Sequence, residues 1–360
     1  MLRRRLSRAT GNGPPRANDV AVSNKINNGG NQTMRPIQHA LSALFLGTLL
    51  LAGAASAPAS AAYPDRPIRI IVPFPAGGGG DILARAVLNK IAEQTGWTLV
   101  IENRAGAGGN IGTEAAAHSE PNGYTLNYGT NGTHGINQTL YARPGFDAIK
   151  DFEPISRFTQ IALLVVVNPS LPVKTAKELL DYLKANPGKV NIASAGNGTT
   201  SHLAQQMFRM ATGVNYVHIP YRGGGPAKID LVAGQVQMMI EIMPSVFGNV
   251  QQGQLRGLAV TTAKRWPLAP DIPTVAETIV PNFEVTAWDG LFAPKGTPQE
   301  VIDAWNAAAR KALTDPGLRE DLLKKGAEPA PTSPKAFGDF IAAELPRWGK
   351  AVEQSGTKID

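Results

Sequence analysis

The chain has 360 residues, a length that allows two domains with sizeable cores. Its hydrophobic fraction of 43% is ordinary for a globular protein. It contains no cysteine, which excludes disulfide bonds, thiolate catalysis and cysteine-ligated zinc. Residues 1–61 hold seven of its 35 basic residues and one of its 28 acidic residues, and so account for most of the net charge of +7. The rest of the chain is nearly neutral, so its charge gives no reason to expect nucleic-acid binding.

The basic N-terminal segment has the pattern of an export signal. An apolar run at 41–51 follows Arg35, and the small residues after it match the A-x-A cleavage pattern twice, the second time at 59–61. We expect cleavage at this second match, so that 1–61 are an N-terminal extension plus signal peptide and the mature protein starts near residue 62. A membrane anchor is the alternative, but the run is shorter than the roughly 20 residues of a membrane-spanning helix.

Two methionines are possible translation starts. Residues 1–33 are polar and rich in Asn and Gly, a composition typical of disorder. Met34 begins a stretch that already holds the basic residue and apolar run of a signal peptide. We therefore expect translation to start at Met34, with Met1 as the alternative.

After Tyr63, short apolar runs alternate with stretches of helical spacing. The predicted strands are 68–72, 99–102, 125–128, 162–167, 190–193, 236–240 and 255–260. The predicted helices are 81–95, 110–118, 176–185, 202–210, 227–233, 299–313, 316–324 and 334–354. This alternation predicts an α/β fold.

Two long extended stretches, 158–168 and 282–294, are typical of segments in which the chain crosses from one lobe to another. A chain that crosses twice builds one lobe from both of its ends and the other from its middle. We therefore predict that 62–163 and 286–360 form lobe one and that 164–285 form lobe two. A ligand would then lie in the cleft between the lobes, where pockets are common.

The first predicted strand runs into a glycine-rich turn that opens a helix. The four glycines of 77–80 leave backbone N–H groups uncovered, and Asp81 is placed to cap the helix. Leu83, Val87 and Ile91 are spaced to form one apolar face of that helix. Because an uncovered helix start attracts anions, the turn predicts a small anion held by backbone groups. A plain tight turn is the alternative.

A second turn of the same kind lies at 193–203, between a predicted strand and a predicted helix. Thr199, Thr200 or Ser201 can cap this helix, and their hydroxyl groups add hydrogen-bond donors beside the free N–H groups. Two such turns facing each other would suit a dicarboxylate. Ordinary capping is the alternative.

Two further stretches are candidates for the same cleft. The stretch 129–134 is small and polar and follows a predicted strand. In the stretch 220–227, Arg222 lies among glycines and is either a carboxylate clamp or a solvated residue.

The alternatives that involve chemistry have weak support. Ser194 lacks the first glycine of a nucleophile elbow, and Ser201 is adjacent to His202, whereas triad members converge from separate parts of a fold. No lysine of a nucleotide-binding loop follows the glycines of 77–80, and the fingerprint of a dinucleotide site at 106–111 is incomplete. The five histidines form no i, i+4 pair. We therefore expect no catalytic residues, no metal and no cofactor.

From Tyr63 to Asp360 the chain resembles the Bug-type, or tripartite tricarboxylate transporter (TctC-like), periplasmic substrate-binding proteins. The motifs that carry the resemblance lie at 72–78, 102–112, 121–126, 193–199, 201–204, 220–223, 234–236, 258–261, 273–277 and 290–294. The resemblance implies an α/β, two-lobed periplasmic-binding-protein-like fold (type II) that closes around a small carboxylated solute in the periplasm.

The resemblance also implies a set of ligand-binding residues in the two glycine turns and in the stretch between them. In the first turn they are Phe74, Ala76, Gly77, Gly78, Gly79 and Asp81. In the second turn they are Ser194, Gly198, Thr199, Thr200, Ser201 and His202, and the intervening stretch adds Thr133 and His134. The chain departs from the family at Gly80, where Thr or Ser is frequent, and at Glu241 and Ile242, where Asp and Asn are frequent.

The function implied is capture of a carboxylate-containing solute and its delivery to the membrane permease subunits of a tripartite transporter, by a monomer that does not bind nucleic acid. The alternatives are a ligand-sensing co-receptor of a signalling system and, less favoured, a hydrolase. Dicarboxylates, tricarboxylates, acidic amino acids, aromatic acids and amides all remain open as solutes.

Overall fold

The computed structural model describes residues 63–360. The extension and signal peptide expected at 1–61 lie outside the described residues. Between residues 63 and 360, no helix has both the length and the apolar character needed to cross a membrane.

The described residues form ten strands and eleven α-helices. The strands are β1 (Ile68–Val72), β2 (Leu99–Asn103), β3 (Thr125–Thr130), β4 (Phe152–Val167), β5 (Asn191–Ser194), β6 (Val217–Pro220), β7 (Met238–Ile242), β8 (Arg256–Val260), β9 (Thr286–Pro294) and β10 (Ala327–Pro329). The helices are α1 (Gly79–Thr95), α2 (Asn110–Ala117), α3 (Asn137–Leu140), α4 (Ala176–Ala185), α5 (Thr200–Thr212), α6 (Gly224–Val232), α7 (Met243–Gln251), α8 (Val275–Thr278), α9 (Gln299–Thr314), α10 (Pro316–Lys324) and α11 (Pro334–Ser355).

All ten strands join one mixed sheet. Its order is β2-β1-β3-β9-β4-β7-β5-β6, and β8 and β10 add to β4. Strand β1 is parallel to β2 and β3, and strand β5 is parallel to β6 and β7. Because parallel strands end at the same edge of a sheet, the loops after β1 and β3 share one edge, as do the loops after β5 and β7. These edges carry the residues of the candidate site.

Strand β4 changes its partners halfway along its 16 residues. Residues 152–162 pair with β9, whereas residues 163–167 pair with β7 and β8. The chain returns at Val285, whose N–H and carbonyl both bond to Thr261 just after β8, and β9 begins at the next residue. The two lobes remain a prediction.

The helices bury one face each against the sheet. Leu83, Val87 and Ile91 of α1 are at most 1% exposed, which confirms the predicted apolar face. Gly96 then ends α1 with a φ of +74°, a conformation that glycine adopts without strain.

The prediction that Asp81 caps α1 is wrong. The helix begins at Gly79, two residues earlier, and its N-cap residue is Gly78. Asp81 lies in the first turn of the helix and bonds back to the N–H of Gly77. Glycine has a low helix propensity, so the sequence pattern places the boundary after the glycines, whereas packing against neighbouring elements extends the helix through them.

Candidate functional site

The first glycine turn joins β1 to α1 without a side-chain cap. The N-cap residue Gly78 makes no side-chain hydrogen bond, and the first N–H groups of a helix have no acceptor within the helix. A Cβ atom at Gly79 would lie 2.5 Å from Ile242 Cδ1, and one at Gly80 would lie 2.9 Å from Phe74 Cδ2. The glycines therefore serve close packing of the helix start and also leave its N–H groups uncovered.

The buried side chain of Asp81 stabilises the first turn through hydrogen bonds. Its Oδ2 accepts the N–H of Gly77 at 2.9 Å, and its Oδ1 accepts Arg85 Nε at 2.9 Å and Asn103 Nδ2 at 2.8 Å. Burial raises the pKa of Asp81, but the hydrogen bonds from Arg85, Asn103 and Gly77 outweigh burial and hold the pKa below its ordinary value. Asp81 is thus an ionised support of the turn, and it does not line the cavity described below.

The second glycine turn joins β5 to α5 and carries a side-chain cap. Thr199 Oγ1 accepts the N–H of His202 at 3.4 Å and donates to the carbonyl of Gly196 at 2.7 Å. Gly196 has a φ of +121°, which only glycine adopts readily. Of the three residues predicted to cap this helix, the structure selects Thr199.

The two hydroxyl groups after the cap already have partners. Thr200 Oγ1 donates to Asn131 Oδ1 at 2.8 Å, and Ser201 Oγ donates to the carbonyl of Ile240 at 2.7 Å. A hydroxyl group has one proton to donate. The sequence suggested these hydroxyls as donors to an anion, but in the structure their protons are engaged, so the backbone N–H groups are the donors that remain.

The two turns meet at a cavity whose empty space, including the part open to solvent, is about 570 Å³. Its lining is Phe74, Pro75, Gly78, Gly79, Gly80, Tyr128, Thr130, Asn131, Ile161, Ala195, Thr199, Thr200, Ser201, Gly224, Glu241, Ile242, Ala287 and Trp288. The starts of α1, α5 and α6 all border it, and each contributes the partial positive charge of a helix N-terminus. Most of the remaining wall is apolar or aromatic.

Six of the predicted ligand-binding residues line this cavity, and eight do not. Those that line it are Phe74, Gly78, Gly79, Thr199, Thr200 and Ser201. Those that lie behind or beside it are Ala76, Gly77, Asp81, Thr133, His134, Ser194, Gly198 and His202.

Thr133 and His134 point into the core instead of into the cavity. Thr133 Oγ1 accepts the N–H of Thr130 at 3.1 Å. The ring of His134 stacks on Phe292 with 3.8 Å between centroids, and burial lowers its pKa to about 3, so it is neutral. The residues of this stretch that reach the cavity are Thr130 and Asn131.

Ser194 and His202 form a buried polar cluster with His218. Ser194 Oγ lies 2.7 Å from His218 Nε2, and the rings of His218 and His202 stack at 4.8 Å. Burial lowers the pKa of His202 to about 3 and that of His218 to about 4. Because Ser194 is 0% exposed, no substrate can reach its hydroxyl group. The cluster instead stabilises the second turn, where the N–H of Gly196 donates to Ser194 Oγ at 3.2 Å.

Sequence reasoning missed the far wall of the cavity. Glu241 and Ile242 end β7, Tyr128 belongs to β3, and Trp288 belongs to β9. Glu241 and Ile242 stood out only as departures from the family pattern. Burial raises the pKa of Glu241 to about 7, because its carboxyl group is removed from water.

A second cavity of about 580 Å³ adjoins the first and shares Phe74, Pro75, Ala195 and Thr199 with it. Arg222, the residue suggested as a carboxylate clamp, lines this second cavity and is exposed. Tyr141 Oη donates to the carbonyl of Asn197 at 3.1 Å beside it. In the described part of the chain, no group of three or more metal-ligating side chains is placed to hold a metal ion.

The family described as tripartite tricarboxylate transporter family receptor matches residues 83–357. The protein BugT of Bordetella pertussis is 36% identical over 316 residues, which cover 87% of this chain and 97% of BugT. The chain belongs to this receptor family. As a family receptor, it binds a solute and is not an enzyme.

Solved structures of similar proteins have the same fold. The periplasmic binding protein BugD is 35% identical, with a TM-score of 0.79 over 82% of this chain and 99% of BugD. A Rhodopseudomonas palustris protein with adipate is 35% identical, with a TM-score of 0.80 over 82% and 98%. MatC from Rhodopseudomonas palustris with bound malate is 32% identical, with a TM-score of 0.76 over 81% and 100%. The receptor therefore has the periplasmic-binding-protein-like α/β fold.

Proposed function

We propose that this receptor captures a small carboxylate in the first cavity and delivers it, as a periplasmic monomer, to the membrane subunits of a tripartite tricarboxylate transporter. The observation that carries the proposal is the meeting of three helix starts, those of α1, α5 and α6, around one largely apolar cavity. No lysine or arginine of residues 63–360 lines this cavity. The backbone N–H groups and helix dipoles are therefore the source of its attraction for an anion. The adipate and malate of the two similar structures belong to the same chemical class.

Hydrogen bonds join the proposed lobes at the first cavity and at the second cavity. Thr200 bonds to Asn131 at 2.8 Å, and Tyr141 bonds to Asn197 at 3.1 Å, so each bond joins 62–163 to 164–285. A solute held by helix starts of both lobes stabilises the arrangement in which these bonds form. Release of the bonds opens the cavity to the transporter.

The anion site is tested by placing a charge in its wall. Ala195 lines both cavities and is half-buried, so a longer side chain there reaches the cavity. Ala195→Asp adds a negative charge, and at a distance of about 8 Å and an effective dielectric constant of about 20 the repulsion is about 2 kcal/mol, or about 30-fold in affinity. Ala195→Asn has the same shape without the charge and is the matched control.

Isothermal titration calorimetry with adipate, malate, succinate and glutarate measures the effect. We expect the Asp variant to lose about 30-fold in affinity for the acid that binds wild-type protein, and the Asn variant to remain within about threefold. Equal losses in the two variants would indicate a steric effect and contradict the anion site. Lack of binding of every carboxylate to folded wild-type protein would contradict the proposed solute class.

A further inference from the structure

The cavity holds one acidic side chain that no protein group neutralises at contact distance. Glu241, in β7, is 2% exposed, and its Oε2 has no hydrogen-bond partner among the described residues. The carboxylate of a buried acid needs a partner, because an unpaired buried charge is strongly destabilising. Burial raises the pKa of Glu241, and the neighbouring Ser201 hydroxyl, the backbone of Ile242 and the charge of Lys228 lower it only in part. The Ser201 proton is donated to the carbonyl of Ile240, so Oε2 is left without a partner.

The space beside this carboxyl group is kept open by a glycine. A Cβ atom at Gly224 would lie 3.2 Å from Glu241 Oε1 and 3.0 Å from Ser245 Oγ. Ser245 is 3% exposed, and its hydroxyl group has no hydrogen-bond partner in the described part of the chain. The carboxyl group of Glu241, whose Oε2 has no partner, and the unpartnered hydroxyl group of Ser245 thus both lie beside the start of α6.

The cavity wall also holds an unpaired donor. Asn131 is 0% exposed, and its Oδ1 accepts from Thr200, but its Nδ2 has no acceptor among residues 63–360. The cavity therefore presents a donor at Asn131, an acceptor at Glu241 and N–H groups at three helix starts. A solute that satisfies all of them carries both an anionic group and a hydrogen-bond donor.

We propose that Glu241 determines specificity, by accepting a hydrogen bond from an N–H or O–H group that the solute carries in addition to its carboxylate. This inference rests on the proposed function, because it places the solute in the same cavity. Above pH 7, where Glu241 is ionised, a plain dicarboxylate leaves Glu241 unpaired and adds a like charge near it. An amino or hydroxy acid supplies the missing partner, and an ammonium group also supplies the missing countercharge.

The test uses acids that differ by one donor group. Isothermal titration calorimetry compares succinate with malate and aspartate, and glutarate with 2-hydroxyglutarate and glutamate. In at least one series we expect wild-type protein to bind a donor-bearing acid about tenfold more tightly than the plain acid. Glu241→Met has a similar size without an acceptor, and we expect it to reduce this preference to within about twofold.

Two further variants sharpen the test. Ile242→Val changes the neighbouring wall without touching a polar group, so we expect it to keep the preference. Glu241→Gln keeps an acceptor but loses the charge, so it reduces a preference for the ammonium acids and preserves one for the hydroxy acids. The melting temperature of each variant checks that it is folded.

The outcomes separate this inference from the proposed function. Plain acids that bind wild-type protein as tightly as donor-bearing acids would overturn the role of Glu241 and leave the carboxylate site intact. A preference for donor-bearing acids that is unchanged in Glu241→Met would also overturn the role of Glu241 and leave the carboxylate site intact. Failure of all six acids to bind would contradict the proposed function, and this inference with it.

Discussion

The two glycine turns bring helix starts to one cavity by different means. The start of α1 has no side-chain cap, and Asp81 supports it from within the first turn. The start of α5 is capped by Thr199, and the hydroxyl groups of Thr200 and Ser201 are bound to neighbouring elements. The first turn therefore depends on a buried charge network and on close packing, whereas the second depends on local hydrogen bonds. Substitutions in each turn should therefore change the free energy of unfolding by different amounts.

The largest effect is expected at the support of the first turn. Asp81→Ala removes three hydrogen bonds to a carboxylate, and at about 1.5 kcal/mol each the free energy of unfolding falls by about 4 kcal/mol. Urea denaturation measures this loss. Asp81→Asn keeps the shape and an acceptor, so its loss should be about half as large.

The pH dependence of this loss gives an independent check. Because the pKa of Asp81 is lowered in the folded protein, its contribution is present above the ordinary pKa of 3.8 and disappears as the pH falls through the folded-state value. The difference between wild-type protein and Asp81→Ala should therefore shrink in acid. A difference that stays constant from pH 7 to pH 3 would contradict an ionised support.

A smaller effect of opposite sign is expected at Glu241. Its pKa is raised from 4.5 to about 7, so its contribution to stability is full below pH 4.5 and is lost as the pH rises through about 7. At about 1.4 kcal/mol per pH unit, the loss is about 3 kcal/mol. Glu241→Gln removes the titration, so this variant should gain about 3 kcal/mol relative to wild-type protein between pH 4.5 and pH 8. A pH-independent difference would mean that Glu241 is solvated in the free protein.

The next effect concerns the packing of the first turn. Gly79→Ala places a methyl group 2.5 Å from Ile242 Cδ1 and should lower the free energy of unfolding by about 2 kcal/mol. Gly78→Ala is the matched control, because its nearest contact is the carbonyl oxygen of Pro75 at 3.3 Å. Combining Gly79→Ala with Ile242→Ala removes the clash, so the two losses should be less than additive in a double-mutant cycle. Simple additivity would show that the methyl group is accommodated elsewhere.

The smallest effect is expected at the cap of the second turn. Thr199→Ala removes the acceptor of the His202 N–H and should lower the free energy of unfolding by about 1 kcal/mol. Thr199→Ser keeps the oxygen and should remain within a few tenths of a kcal/mol of wild type. Equal stabilities of the Ala variant and the wild type would show that the cap is dispensable, and that the two turns do not differ in the way described.

The sequence predicted the α/β class, the apolar face of α1 and both glycine turns, because these depend on local periodicity and on glycine chemistry. It did not predict β6, α7 or the first half of β4, which contains Pro154 and polar residues and is held as a strand by pairing with β9. Such pairing is a tertiary interaction, and it outweighs local propensity.

The candidate site was predictable only in part, for a related reason. Phe74, Gly79 and Thr199 lie on the turns themselves, so the sequence could place them near a ligand. Tyr128 and Trp288 reach the cavity through strand order, which no single segment encodes. The family resemblance implied that His134 is a site residue, but its ring packs against Phe292 in the core.

In the proposed function, helix starts hold the carboxylate of the solute. A crystal structure of the receptor with the acid that binds most tightly will show where that carboxylate lies. We expect carboxylate oxygens within about 3.2 Å of backbone N–H groups in the first turns of α1 and α5. A carboxylate bound instead to Arg222 in the second cavity would contradict this expectation.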